Sequence, residues 1–153
     1  MNYKTNSYHN GSIIVPDNVI DSVYSSIKSI NYEMKLYGAS ELRKKILSRL
    51  VSKGWTGPIR LDEESKISIT AKKDTTGLCL QLGNVSRIYA DLMKLQSLFL
   101  RGAISSAIIV VPSLKTSKLL CESNMISYER IEKEYPIFNE IITVPLILVG
   151  FME

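Results

Sequence analysis

Thr70, Cys79 and Gln81 are the side chains whose types and spacing could act together in this chain. In Gly77-Leu-Cys-Leu-Gln-Leu-Gly-Asn84, Leu78, Leu80 and Leu82 alternate with Cys79 and Gln81, so an extended segment turns the leucines one way and the thiol and amide the other. The run Lys66-Ile-Ser-Ile-Thr-Ala71 alternates likewise, and Lys72-Lys-Asp-Thr-Thr76 between them is polar enough to form a hairpin turn. With Asp74 and Thr75 at its centre, antiparallel pairing sets Thr70 opposite Cys79, side chains on one face. A hydroxyl, a thiol and a carboxamide then form an uncharged cluster. Gln81 can both donate to and accept from a ligand or a water. Cys79 lacks the basic, exposed neighbours of a reactive thiol and reads as a packed cysteine. The lone His9 lies in the amino-terminal segment with no partner in sight, which argues against histidine catalysis.

The elements that must position this cluster follow from periodicity. Pro16-Asp17 opens a helix with Val19, Ile20, Val23, Ile27 and Ile30 on one stripe. Ser40 is the expected N-cap of a second helix that buries Leu42, Ile46, Leu47 and Leu50, shows Arg43, Lys44, Lys45, Arg49 and Lys53 to solvent, and stops at Gly54. A strand over 57–61, the 66–71/77–82 hairpin and a third helix over 86–101 follow, the helix carrying Ile88, Leu92, Leu95 and Phe99 inward. A strand over 105–111, an ill-defined stretch with Leu119 and Cys121, a short helix over 128–133 and a strand over 142–149 complete the chain. The expectation is a mixed α/β fold, a central sheet flanked by helices, in one domain spanning 1–153 with residues 1–12 loosely ordered.

Composition bounds the function classes. At 45% hydrophobic residues the chain can bury one good core, and its longest apolar runs are too short to span a bilayer. No signal peptide opens the sequence, so a soluble, cytoplasmic protein is expected. Two cysteines indicate neither a disulfide framework nor a zinc site. A net charge of +4 has the sign a nucleic acid prefers. RNA-binding signatures and a short basic-aromatic pattern are absent.

Cys79-Leu-Gln81-Leu-Gly83-Asn84 resembles the catalytic strand of the BglII-type restriction endonucleases, a branch of the PD-(D/E)xK nuclease superfamily, which carries Glu-x-Gln, an aromatic or apolar residue, Gly and often Asn. The family's Asp on the preceding strand lies nine residues before its Glu, which falls here on Thr70. Gln81 therefore matches, while Thr70 and Cys79 replace the two acids. The surroundings agree from about residue 40 onward: Gly54-Trp55 after the second helix, Arg87 and Asp91-Leu-Met-Lys94 on the third, then the strand leading to Pro112, and Val144-Pro-Leu-Ile-Leu-Val-Gly150 near the end.

The resemblance implies a restriction-endonuclease-like core whose active members hold Mg²⁺ on carboxylates against a phosphodiester, activating water and neutralising developing charge. Magnesium prefers oxygen ligands, so Cys79 and Thr70 are poor substitutes. The expected protein binds double-stranded DNA, needs no cofactor and does not cleave. Alternatively an acid has migrated and Mg²⁺ activity is retained; the candidates are Asp62, Glu63, Glu64, Asp74, Glu41 and Asp91, with Asp62 the best fallback ligand. A third alternative is a non-catalytic scaffold in a restriction-modification or defence system. DNA contacts are expected at Lys72, Lys73, Asn84, Arg87 and Lys94, each with a plain structural counterpart as a solvated turn, a helix face or, for Asn84, the end of a strand before a helix. A homodimer like the family's is expected, built on the third or the amino-terminal helix.

Overall fold

Every position of β5 (Thr76–Leu80) and β6 (Ser106–Pro112) is buried in the computed structural model, which describes residues 1–121 and 124–153. That burial is what parallel strands covered on both faces require. β5 pairs parallel with β6, and β6 parallel with β7 (Leu146–Met152), while the two edges are antiparallel: β4 (Ala71–Lys73) on β5 and β1 (Asn2–Tyr8) on β7. The resulting five-stranded mixed sheet runs β1-β7-β6-β5-β4.

Alternation along the strands sorts the core into two layers. Leu78, Leu80, Ile108, Val110, Ile147 and Val149 pack with α2 (Asp17–Lys28) and α3 (Ala39–Ser52), whose Val19, Val23, Ile27, Leu42, Ile46 and Leu50 form the expected stripes. Cys79, Ala107, Ile109, Val111, Leu146 and Leu148 point the other way, onto Ile88, Leu92 and Leu95 of α4 (Arg87–Leu100) and Ile131 of α6 (Tyr128–Glu134). The fold is thus the expected central sheet flanked by helices. Gly54 and Gly102 end α3 and α4 at φ of 89° and 71°, the left-handed region a C-terminal glycine supplies freely.

Several expectations are corrected. Residues 2–8, read as loosely ordered, pair with β7 in a continuous seven-residue register, and a short helix α1 (Gly11–Ile14) follows. The run 66–71 is split. β3 (Ser68–Ile69) pairs with β2 (Ile59–Arg60) in a separate two-stranded sheet, and only from Ala71 does the chain join the main sheet. The stretch holding Leu119 folds as α5 (Leu114–Leu120), capped by Ser113, whose side chain accepts from the Thr116 backbone N–H. The last strand begins at Leu146 rather than 142, because the 3-10 helix Tyr135–Phe138 and its following turn occupy the intervening chain. No helix among the described residues is long and apolar enough to cross a membrane.

Candidate active-site cleft

A cleft of about 860 Å³ opens between α3 and α4 at the β4 side of the sheet. Its geometry starts where β5 ends. The Gln81 backbone N–H still donates to the Val110 carbonyl at 2.9 Å, but the next residues leave the sheet and turn into α4. Asn84 makes that turn: its Oδ1 accepts from the Ser86 backbone N–H at 2.9 Å and the Ser86 hydroxyl at 3.0 Å, an Asx turn placing Arg87 at the start of the helix.

Gln81 is held at both ends of its amide. Its Oε1 accepts from the Gly83 N–H at 3.0 Å and its Nε2 donates to Asp91 Oδ2 at 2.7 Å. Asp91, buried on α4, receives Lys94 Nζ on its other oxygen at 2.9 Å, three residues along the same helix face. From the opposite wall Arg43 of α3 donates to the Leu80 carbonyl, so a guanidinium caps the end of β5. Burial lowers its pKa from the ordinary arginine value, and the Asp91 carboxylate opposes that shift.

Thr70 and Cys79 stand where the hairpin register places them, since Ala71 pairs with Leu78, Lys72 with Gly77 and Lys73 with Thr76. Cys79 is packed as its sequence setting suggests, but the side chains of Thr70, Cys79 and Gln81 do not open together onto the cleft. The Thr70 hydroxyl accepts from the Leu80 backbone N–H at 3.0 Å, filling in for a ladder carbonyl at the break between β3 and β4. Cys79 is 1% exposed and packs beneath α4 with Ile69 and Leu92. Burial first, then the nearby Asp91 carboxylate, push its thiol well above the usual range, as an inert core cysteine requires. Thr70 and Gln81 line the cleft; Cys79 lies behind its wall.

Of the residues expected to meet DNA, Arg87 and Lys94 line the cleft and the other three do not. Lys73 Nζ donates to the Lys53 carbonyl at 2.7 Å, tying the hairpin to the end of α3. The Lys72 backbone exchanges hydrogen bonds with Thr56, and the Asn84 side chain is engaged in its own turn. Asp62, the fallback ligand, accepts from the Glu64 and Ser65 backbone N–H groups in the exposed β2–β3 loop. Asp91 alone of the candidate acids lines the cleft. Arg43, expected on the solvent side of the second helix, lines the cleft instead; its i,i+4 spacing to Leu47, which lines the same wall, is the sequence signal for it.

The family description "Restriction endonuclease BglII/BglIII" matches residues 3–151. The chain belongs to this family. The crystal structure of the restriction endonuclease BglII complexed with a DNA 16-mer superposes with a TM-score of 0.87 at 16% identity, over 100% of this chain and 79% of that one. The crystal structure of free BglII gives 0.81 at 18% identity, over 100% and 80%. No curated protein matches the chain in sequence.

Membership in the BglII/BglIII family raises magnesium, and the cleft tests it. Mg²⁺ wants near-octahedral oxygen coordination, anchored by carboxylates. Among the described residues the cleft lining offers one carboxylate, Asp91, with both oxygens already engaged by Gln81 and Lys94. Among the described residues no group of three or more His, Cys, Asp or Glu could hold a metal ion. The residues present do not fit magnesium.

Proposed function

We propose that this protein binds duplex DNA across the α3–α4 cleft and leaves the phosphodiester intact. The observation carrying this reading is the state of Asp91, the one carboxylate of the cleft lining among the described residues, occupied by Lys94 and Gln81. Three cations, Arg43, Arg87 and Lys94, share that lining with it. Such a surface attracts phosphate without a metal to relieve repulsion between carboxylates and backbone. Family membership and the likeness of the fold to BglII, one of whose crystal structures holds a DNA 16-mer, support the reading.

Binding is measured by fluorescence anisotropy with a labelled random-sequence duplex in EDTA, cleavage with supercoiled plasmid and Mg²⁺. Binding that weakens steeply with salt and no nicking are expected. Failure to bind at low salt, or nicking on adding Mg²⁺, contradicts the reading. The same reading carries a cytoplasmic homodimer paired through α4, whose Met93 and Leu100 stay exposed seven residues apart. Light scattering decides the dimer: a monomer at all concentrations removes it.

A further inference from the structure

Lys94 reaches the cleft from the second turn of α4 with its ammonium fixed 2.9 Å from Asp91 Oδ1, and Asp91 is fixed in turn by Gln81 at 2.7 Å. An ammonium has three donors, and the carboxylate takes one. The side chain is 24% exposed, so the remaining donors have access to the open cleft. Arg43, anchored on the Leu80 carbonyl, and Arg87, which forms no ion pair among the described residues, line the same cleft. Carboxylate, then cation, then open space is the order in which a carboxylate-held metal meets a phosphate.

We propose that Lys94, held by Asp91 in a cleft also lined by Arg43 and Arg87, is a built-in replacement for the divalent ion and seats one phosphodiester group of the DNA backbone. This rests on the DNA-binding reading above and specifies its central contact. The seat explains both halves of that reading. A fixed ammonium supplies charge and hydrogen bonds to a phosphate oxygen. It has no coordination position on which a water could be activated, so phosphate is bound without being attacked.

The competing role for Lys94 is purely structural, a counter-ion for the buried Asp91. The double substitution Asp91→Asn with Lys94→Met separates the two, because it deletes the pair at unchanged net charge. If Lys94 seats a phosphate, the plot of log affinity against log salt becomes shallower by about 0.9 and affinity near 0.1 M salt falls roughly 5- to 10-fold. If Lys94 only neutralises Asp91, both are unchanged and the proposal is overturned. A second measurement uses the unaltered protein, in case the variant folds poorly. Acetylation of Lys94 by acetic anhydride, read by peptide mass, should be suppressed by saturating duplex, while that of Lys35, outside the cleft lining, should persist. Undiminished acetylation of Lys94 under saturating duplex overturns the seat alone. Absence of any duplex binding by the unaltered protein overturns the DNA reading and the seat with it.

Discussion

Gln81 and Asp91 are joined across the junction of β5 and α4, amide Nε2 to carboxylate Oδ2 at 2.7 Å. The bond links the glutamine that matches the nuclease pattern to the one acid of the cleft lining among the described residues. It fixes the amide's orientation, since Nε2 must be the donor to a carboxylate and Oε1 is then left for the Gly83 N–H.

Gly83 guards this orientation. A Cβ built there would lie 2.9 Å from Gln81 Oε1, too close for a real contact, yet the obstructing atom is the tip of a flexible side chain. Gly83→Ala should therefore displace the amide rather than the backbone, at a loss of about 1 kcal/mol from the broken hydrogen bonds. The loss should vanish when Gln81→Ala is already present. Chemical denaturation of the two single variants and the double variant checks this; additive losses would show that Gly83 matters for another reason.

Cys79 should behave as a core atom. Its thiol is buried and pushed far above the ordinary range, so it holds almost no thiolate at neutral pH. N-ethylmaleimide should modify Cys79 only as fast as the protein unfolds, measured by peptide mass against the rate of global unfolding. Prompt labelling of the native protein at Cys79 would place it in the cleft instead.

The amino-terminal edge strand is pinned by charge. Glu129 on α6 accepts from Lys4 Nζ of β1 at 2.8 Å and from the Leu114 backbone N–H of α5 at 2.6 Å. Burial alone would raise its pKa, but the Lys4 bond and the backbone N–H groups outweigh this and hold it below the usual carboxylate value of 4.5. A depressed folded-state value means stability present above 4.5 and lost as pH falls through the folded value. The pair is more than a third exposed, so the effect should be small and screened by salt. Melting temperature against pH for the unaltered protein and Glu129→Gln should differ at neutral pH and converge under acid; a constant gap would exclude the linkage.

The legible parts of this fold were those written in side-chain periodicity. The stripes of α2 and α4 and the hairpin register around Asp74, which takes φ of 51° in the turn, follow from local pattern. β1 left no such trace. Asn2–Tyr8 is an edge strand of largely polar residues whose pairing with β7 is made by backbone, so nothing in its sequence announces it. Cys79 was legible in part: it is the packed cysteine its setting suggests, but it does not reach the cleft that Gln81 lines. Leu-Cys-Leu-Gln reads as a half-exposed strand, whereas β5 is covered by α4 on the face where Cys79 points. The roles of Asp91 and Arg43 depend on how α4 and α3 dock against the end of β5; local spacing sets the helix face each residue occupies, and tertiary packing decides what that face meets.

Reintroducing the acids tests the fit argument directly. Thr70→Asp with Cys79→Glu would add two carboxylates beside Asp91, one of them at a position now 1% exposed. Without metal those charges repel one another, and the buried one is desolvated, so the variant should be less stable by several kcal/mol, on the order expected for an uncompensated buried charge. Mg²⁺ should reverse this. It supplies the opposite charge and binds only the folded arrangement, so the melting temperature should rise with its concentration. Calorimetry should then detect Mg²⁺ binding by the double variant and none by the unaltered protein. A variant that stays folded yet binds no Mg²⁺ would mean that Thr70 and Cys79 do not project toward a common point, and the register alone would not make a metal site.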